Sequence, residues 1–148
     1  MTDTDRMVVW LRETMDAAEA DAEAATPGPW SVRPQPDTGE NWEIATTGRE
    51  QRWVIGAEGG GGVYDKPDAD HIARHDPAAV LRRIDRDRKI LAEHADNGYG
   101  ECKTCSIPDG TVEVNGIEYE MLAHAPSPCT TVRNLAEGWG WTEEAETN

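Results

Sequence analysis

Three cysteines place the tightest constraint on this chain: Cys102-x2-Cys105, then 23 residues, then Cys129. An odd number cannot pair off into disulfides, and a Cys-x-x-Cys turn lets two sulfurs grip one small ion. Zinc takes four tetrahedral donors and accepts thiolate sulfur together with imidazole nitrogen. Three sulfurs therefore ask for one histidine. His94 stands eight residues before Cys102, at the end of a helical pattern, and is the first choice. His124, five residues before Cys129, is the alternative. Gly100 precedes the pair and Lys103-Thr104 fill it, as a tight turn requires. Four protein donors leave no position for a reacting water, so the expected zinc is structural rather than catalytic.

Composition makes such a staple useful. Of 148 residues, 37% are hydrophobic and none is Phe, so the core is thin even with six Trp. Small chains with thin cores gain most from a bound metal.

Periodicity predicts an α+β fold. Val8, Leu11, Met15, Ala18 and Ala22 form a narrow apolar stripe on an N-terminal helix, with Thr4 or Asp5 as its cap. That helix must stop before Thr26-Pro27-Gly28-Pro29-Trp30, where Trp30 folds back onto the turn. Segments starting at Trp30, Trp42 and Trp53 alternate and predict an antiparallel meander, and Gly59 to Gly62 predict a flexible turn. A short helical piece begins near Pro67. A long helix follows from Asp76-Pro77, with Val80, Leu81, Ile84 and Leu91 buried, and Asp85 and Asp87 interleaved with Arg82, Arg83, Arg86 and Lys89 on the other face. Asn115-Gly116 between two alternating runs predicts a hairpin, and Thr130 or Thr131 would cap a last short helix.

The expected arrangement sets the N-terminal helix and the long central helix on a small antiparallel sheet, with a C-terminal zinc-knuckle subdomain. Its boundaries are residues 1–94 for a helix/β-meander/helix domain, 95–141 for the knuckle with its inserted β-hairpin, and 142–148 for a polar, disordered tail.

The net charge is −15. Residues 1–25 carry seven acids against Arg6 and Arg12, and residues 95–148 carry ten against Lys103 and Arg133. Such a field repels nucleic acid and membrane surfaces and favours basic proteins or cations. No apolar run reaches the ~20 residues that span a bilayer. The acidic start, Met1 to Met7, lacks the order of a secretion signal, which predicts a cytoplasmic protein.

The run from Ala25-Thr26-Pro27-Gly28-Pro29-Trp30 through His71-Ile72-Ala73-Arg74-His75-Asp76-Pro77 to Leu81-Arg82 resembles a family of small uncharacterised proteins of actinobacteria and their bacteriophages. Ile90-Leu91-Ala92-Glu93-His94, the Cys102/Cys105 pair and Pro128-Cys129-Thr130-Thr131-Val132-Arg133-Asn134-Leu135-Ala136 extend the likeness over nearly the whole chain. Family members run quickly from the cysteine pair to Pro-Cys, whereas residues 106–127 here hold an extra hairpin. Their aromatic-acidic tail is replaced by residues 137–148. The resemblance implies a phage or actinobacterial context, in the bacterial host cell, and brings no activity with it.

Other candidate sites are weaker. His71-x3-His75 puts two imidazoles on one helical face near Asp68, Asp70 and Asp76, but the glutamate of a metalloprotease helix is missing, since Ile72 follows His71. The four glycines lack the Lys-Ser/Thr of a phosphate loop. No Gly-x-Ser-x-Gly elbow is present. The expected function is a non-enzymatic, zinc-binding phage accessory protein that binds and modulates a host protein. One alternative is an acidic nucleic-acid mimic inhibiting a DNA-binding or defence enzyme. Another is a metal-dependent hydrolase using His71 and His75.

Overall fold

The computed structural model describes residues 3–36, 40–56 and 61–142. Among these, four helices and two small antiparallel sheets form an α+β fold. The order is α1 (Asp3–Ala24), β1 (Trp30–Pro34), β2 (Trp42–Thr46), β3 (Trp53–Ile55), α2 (Lys66–Arg74), α3 (Pro77–Glu93), β4 (Ile107–Val114), β5 (Ile117–Ala123) and α4 (Thr130–Gly138). Gly59 and Gly60 of the glycine run, and residues 143–148 of the polar tail, lie outside the described residues.

The chain divides into two compact units. One spans Asp16–Asp85, and the other joins the residues up to Met15 with those from Arg86 on. The division differs from the cut at residue 94 expected from the sequence, because the start of α1 and the second half of α3 belong with the C-terminal segment.

In the unit Asp16–Asp85, β1, β2 and β3 pair as a meander, with Val32 opposite Ile44 and Arg33 opposite Glu43. The central strand β2 buries Glu43, Ile44 and Ala45 in succession, where its alternating sequence predicts one buried face. Neighbouring strands pair the edges of β2 and leave its faces to side chains, so Glu43 goes in with a partner on its own face. Its carboxylate lies 3.4 Å from the Arg33 guanidinium, which also stacks 4.0 Å from the Trp53 ring centre. The helix laid on β1 and β2 is the short α2, in place of the two long helices expected there.

The Thr26-Pro27-Gly28-Pro29-Trp30 turn is organised around one carboxylate. Asp76 Oδ1 accepts the Ala79 amide at 2.7 Å and so caps α3, while Oδ2 accepts the Trp30 amide at 2.9 Å. The Trp30 indole donates to the Thr26 carbonyl, closing the turn. Gly28 is required by space: a Cβ there would sit 2.7 Å from Asp76 Oδ2 and 3.0 Å from Ala78 Cβ.

In the other unit, Met7, Leu11 and Met15 of α1 are buried. Met7 takes the inner position expected for Val8, which is half-buried. α1 begins at Asp3, so Thr4 and Asp5 lie inside its first turn instead of ahead of it. Of the α3 residues in this unit, Leu91 is buried as expected; in the unit Asp16–Asp85, Ile84 is buried as expected, while Val80 and Leu81 are half-exposed. Asp87 corrects the charge pattern read from sequence: it is buried rather than solvated on the basic face. It accepts a 2.8 Å hydrogen bond from the Trp139 indole and a 2.6 Å ion pair from Arg86. Trp141 is buried edge-to-face against Trp10, with centroids 5.2 Å apart. No described helix is long and apolar enough to cross a membrane.

Gly28→Ala should destabilise the protein by roughly 1–3 kcal/mol through overpacking. Asp76→Ala should cost about 1–3 kcal/mol by removing a cap and orphaning the Trp30 amide. Urea unfolding followed by Trp fluorescence measures both, and unchanged midpoints would show that this carboxylate does not pin the turn.

Candidate metal centre

Four side chains from three separate stretches meet within the unit that carries α4. His94 directly follows α3, Cys102 and Cys105 bracket the knuckle, and Cys129 sits immediately before α4. Their donor atoms all lie within 4.8 Å of one another. Cys102 and Cys129 are buried, and His94 and Cys105 are half-buried.

Backbone bonds explain why they converge. The knuckle is held against the end of α3: the Lys103 amide donates to the Ala95 carbonyl, the Thr104 hydroxyl to the Glu93 carbonyl, and the Asn97 amide to the Glu101 carbonyl. Gly98 and Gly100 adopt φ of +94° and +80°, and Asp96 Oδ1 accepts the Gly98 amide at 2.6 Å, so the intervening loop turns tightly. The return of Cys129 depends on closing the hairpin insert at its base. The Cys102 amide donates to the Ala125 carbonyl at 2.8 Å, the Ala125 amide to the Ser106 hydroxyl, and the Ser127 amide to the Gly100 carbonyl. With its two ends pinned beside the knuckle, the insert adds residues without displacing the third sulfur.

The distances carry chemical information. The three sulfurs lie 3.5 Å (Cys102), 3.4 Å (Cys105) and 3.5 Å (Cys129) from the same atom, His94 Nδ1. A neutral imidazole nitrogen has one lone pair in the ring plane and satisfies one donor. Three thiols equidistant from it are therefore not a hydrogen-bond set. They mark donors disposed around a common centre, and the cluster is compatible with a metal site.

Electrostatics of the metal-free cluster point the same way. Burial pushes the Cys129 thiol up, but the backbone amides of Val132 and Thr131, with the Cys102 and Cys105 thiols, outweigh it and bring the pKa down to about 7. Cys129 occupies the N-cap of α4, the place expected for Thr130 or Thr131. Its side chain makes no regular capping bond there, so the amides act on the thiolate through their field. Cys105 is pushed up to about 11, first by its hydrogen bond with Cys102, then by burial and by Cys129. Cys129 thus ionises ahead of Cys105, which gives up its proton against charge already present. A cation removes that cost.

His124 lies elsewhere. Its Nδ1 pairs with Glu101 and the side chain is two-thirds exposed, at the far end of β5 from the turn. His71 and His75, both exposed at the end of α2, lie with ring centroids 4.6 Å apart and planes tilted by 52°. The Arg83 guanidinium, which can only donate, reaches His75 Nδ1 at 3.2 Å. Asp70 pairs with Lys66, and both oxygens of Asp76 are taken by backbone amides. Among the described residues no further ligand joins the two histidines.

A pocket of about 160 Å³ borders His94, lined also by Asp5, Arg12, Leu91, Asp96 and Val132. Sequence reasoning did not find it, because it draws on α1 and α3 as well as the residues around Cys129.

The fold and cluster thus define a small α+β protein with a Cys3His group compatible with a metal. The chain belongs to the family described as "Family of unknown function (DUF6221)", whose model matches residues 4–140. No curated protein and no solved structure matches it.

His94→Ala should abolish stoichiometric metal binding, and His124→Ala should leave it intact, as read by metal analysis after dialysis. Affinity should fall steeply as pH drops from 8 to 5, because protons compete for Cys129 below about 7 and for Cys105 throughout that range. A pH-independent affinity would exclude thiolate ligation.

Proposed function

We propose that this protein is a small, non-enzymatic, zinc-stapled accessory protein of an actinobacterium or one of its bacteriophages, acting in the cytoplasm by binding and modulating a host protein. His94, Cys102, Cys105 and Cys129 are the ligands and zinc is the ion. The observation that carries the staple is the trio of 3.4–3.5 Å separations between sulfur and His94 Nδ1. Tetrahedral zinc, with Zn–S of about 2.3 Å and Zn–N of about 2.0–2.1 Å, puts its sulfur and nitrogen ligands about 3.6 Å apart.

Zinc suits the donor set and needs no redox change. With four protein donors it keeps no site for substrate, which supports a structural role. In zinc-finger peptides such binding contributes on the order of 10–16 kcal/mol, enough to dominate a unit with few buried aliphatics. The binding reading rests on the surface left once the metal holds the fold: strongly acidic overall, with a two-stranded hairpin whose apolar side chains remain exposed.

Purified protein should carry one zinc per chain. Chelation or Cys129→Ser should lower its thermal midpoint by well over ten degrees, since about 1 kcal/mol already moves a domain this size by several degrees. Unchanged melting would end the zinc reading. For the binding role, the zinc-loaded protein should retain from host lysate a partner that, once purified, binds it saturably at equal molar amounts. Failure to obtain any saturable partner would end that role while leaving the metal untouched.

A further inference from the structure

The hairpin β4–β5 stands on the molecule as a separate two-stranded sheet. Its register sets Val112 opposite Tyr119 and Val114 opposite Ile117. Strand alternation puts these four on one face together with Met121. All five are between 40% and 57% exposed. The opposite face carries Thr111, Glu113, Glu118 and Glu120, with Glu113 directly across from Glu118. Residues 107–123 hold four acids, Asp109, Glu113, Glu118 and Glu120, and no Lys, Arg or His. Among the described residues no cation pairs with Glu113, Glu118 or Glu120.

An isolated two-stranded sheet with an uncovered apolar face is marginal in water, and like charges placed directly opposite weaken it further. Both features are relieved by a third strand of suitable pattern. The two edges are not equivalent. β4 carries Pro108 and a register shift between Pro108 and Thr111, with Gly110 at φ +89°. A proline and a bulge are devices that blunt an edge against pairing. β5 has no proline and no glycine, its register with β4 is regular from Ile117 to Glu120, the extra residue of the shift falls on β4, and its outer edge pairs with no described strand.

We propose that the free edge of β5 is a docking site for an extended segment of a partner protein in which apolar and basic residues alternate. The proposal rests on the protein-binding role proposed above and names the surface and the chemistry that serve it. Added as a third strand, such a segment continues the Ile117, Tyr119 and Met121 row with its apolar side chains. Its Lys or Arg side chains fall on the other face, beside Glu118 and Glu120. The same pattern disfavours a second copy of this chain. Antiparallel pairing of two β5 strands about Tyr119 places Glu118 of one against Glu120 of the other. Main-chain hydrogen bonds would supply affinity, and the two glutamates would choose the partner.

The test is an NMR titration of the ¹⁵N-labelled, zinc-loaded full chain with two synthetic ten-residue peptides, one alternating valine with lysine and one alternating valine with glutamate. The lysine peptide should shift the Ile117–Ala123 amides and slow their hydrogen exchange, while the glutamate peptide leaves them alone. The double variant Glu118→Lys, Glu120→Lys, checked for unchanged zinc content and melting, should lose lysine-peptide affinity by roughly tenfold and gain the glutamate peptide. Equal binding of both peptides, shifts that map away from β5, an unchanged preference in the double variant, or self-association through β5 in sedimentation would each overturn the proposal. A captured natural partner that binds the double variant as well as the original chain would also overturn it, with the binding role left standing. Absence of any saturable partner would instead remove that role.

Discussion

Convergence of three sulfurs on His94 Nδ1 is the constraint on which the C-terminal half depends. The end of α3, the knuckle loop, the base of the hairpin and the start of α4 each deliver a donor or pin a neighbour that does. Without a cation, crowding holds the Cys105 proton on, first through its hydrogen bond with Cys102, then through burial and Cys129. With one, the same crowding becomes the source of cohesion. The arrangement is therefore costly or stabilising according to a single bound charge, and the proposed zinc decides which.

Around that centre, the fold uses a few buried polar groups as fixed points. Asp76 joins the start of α3 to the Trp30 turn within its unit, and Asp87 joins α3 to Trp139 within the other. Both are carboxylates with two oxygens spoken for, so each orients two segments at once. A chain without Phe and with a modest apolar fraction relies on such directional contacts, together with Trp packing such as Trp10 on Trp141, where a richer core would rely on volume. The hairpin is the exception. It sends a clean apolar face outward, and nothing among the described residues covers it. In a chain this acidic, an outward apolar surface backed by glutamates suits the proposed basic, extended segment better than an acidic one.

Much of this was legible in the sequence, for identifiable reasons. The strands starting at Trp30, Trp42 and Trp53, the break at Thr26-Pro27-Gly28-Pro29, the Asp76-Pro77 helix start and the Asn115-Gly116 turn are local decisions, made by proline, glycine, capping and alternation within a few residues. Asn115 at φ +55° and Gly116 at +76° show the turn chemistry acting as its residue types dictate. The cysteine spacing likewise pointed to side chains that come together, and the three sulfurs do gather at His94 in a cluster compatible with a metal. By contrast, the continuous burial of β2, the inward turn of Asp87, Cys129 at the N-cap of α4, and α2 rather than a long helix on the sheet depend on neighbours far away along the chain.

The sequence by itself determined which residues could ligate a metal, where the strands at Trp30, Trp42 and Trp53 and the helix at Asp76-Pro77 begin, and that a hairpin turns at Asn115-Gly116, since all of these follow from residue type and short-range spacing. Only the tertiary structure decided between His94 and His124 as neighbour to the sulfurs, since that choice turns on where the base of the insert closes and on Glu101 taking His124. It also decided that the hairpin's apolar face points to solvent and that β5 keeps an open edge. Alternation says that a face is apolar, but whether anything lies against it is a property of the whole packed chain.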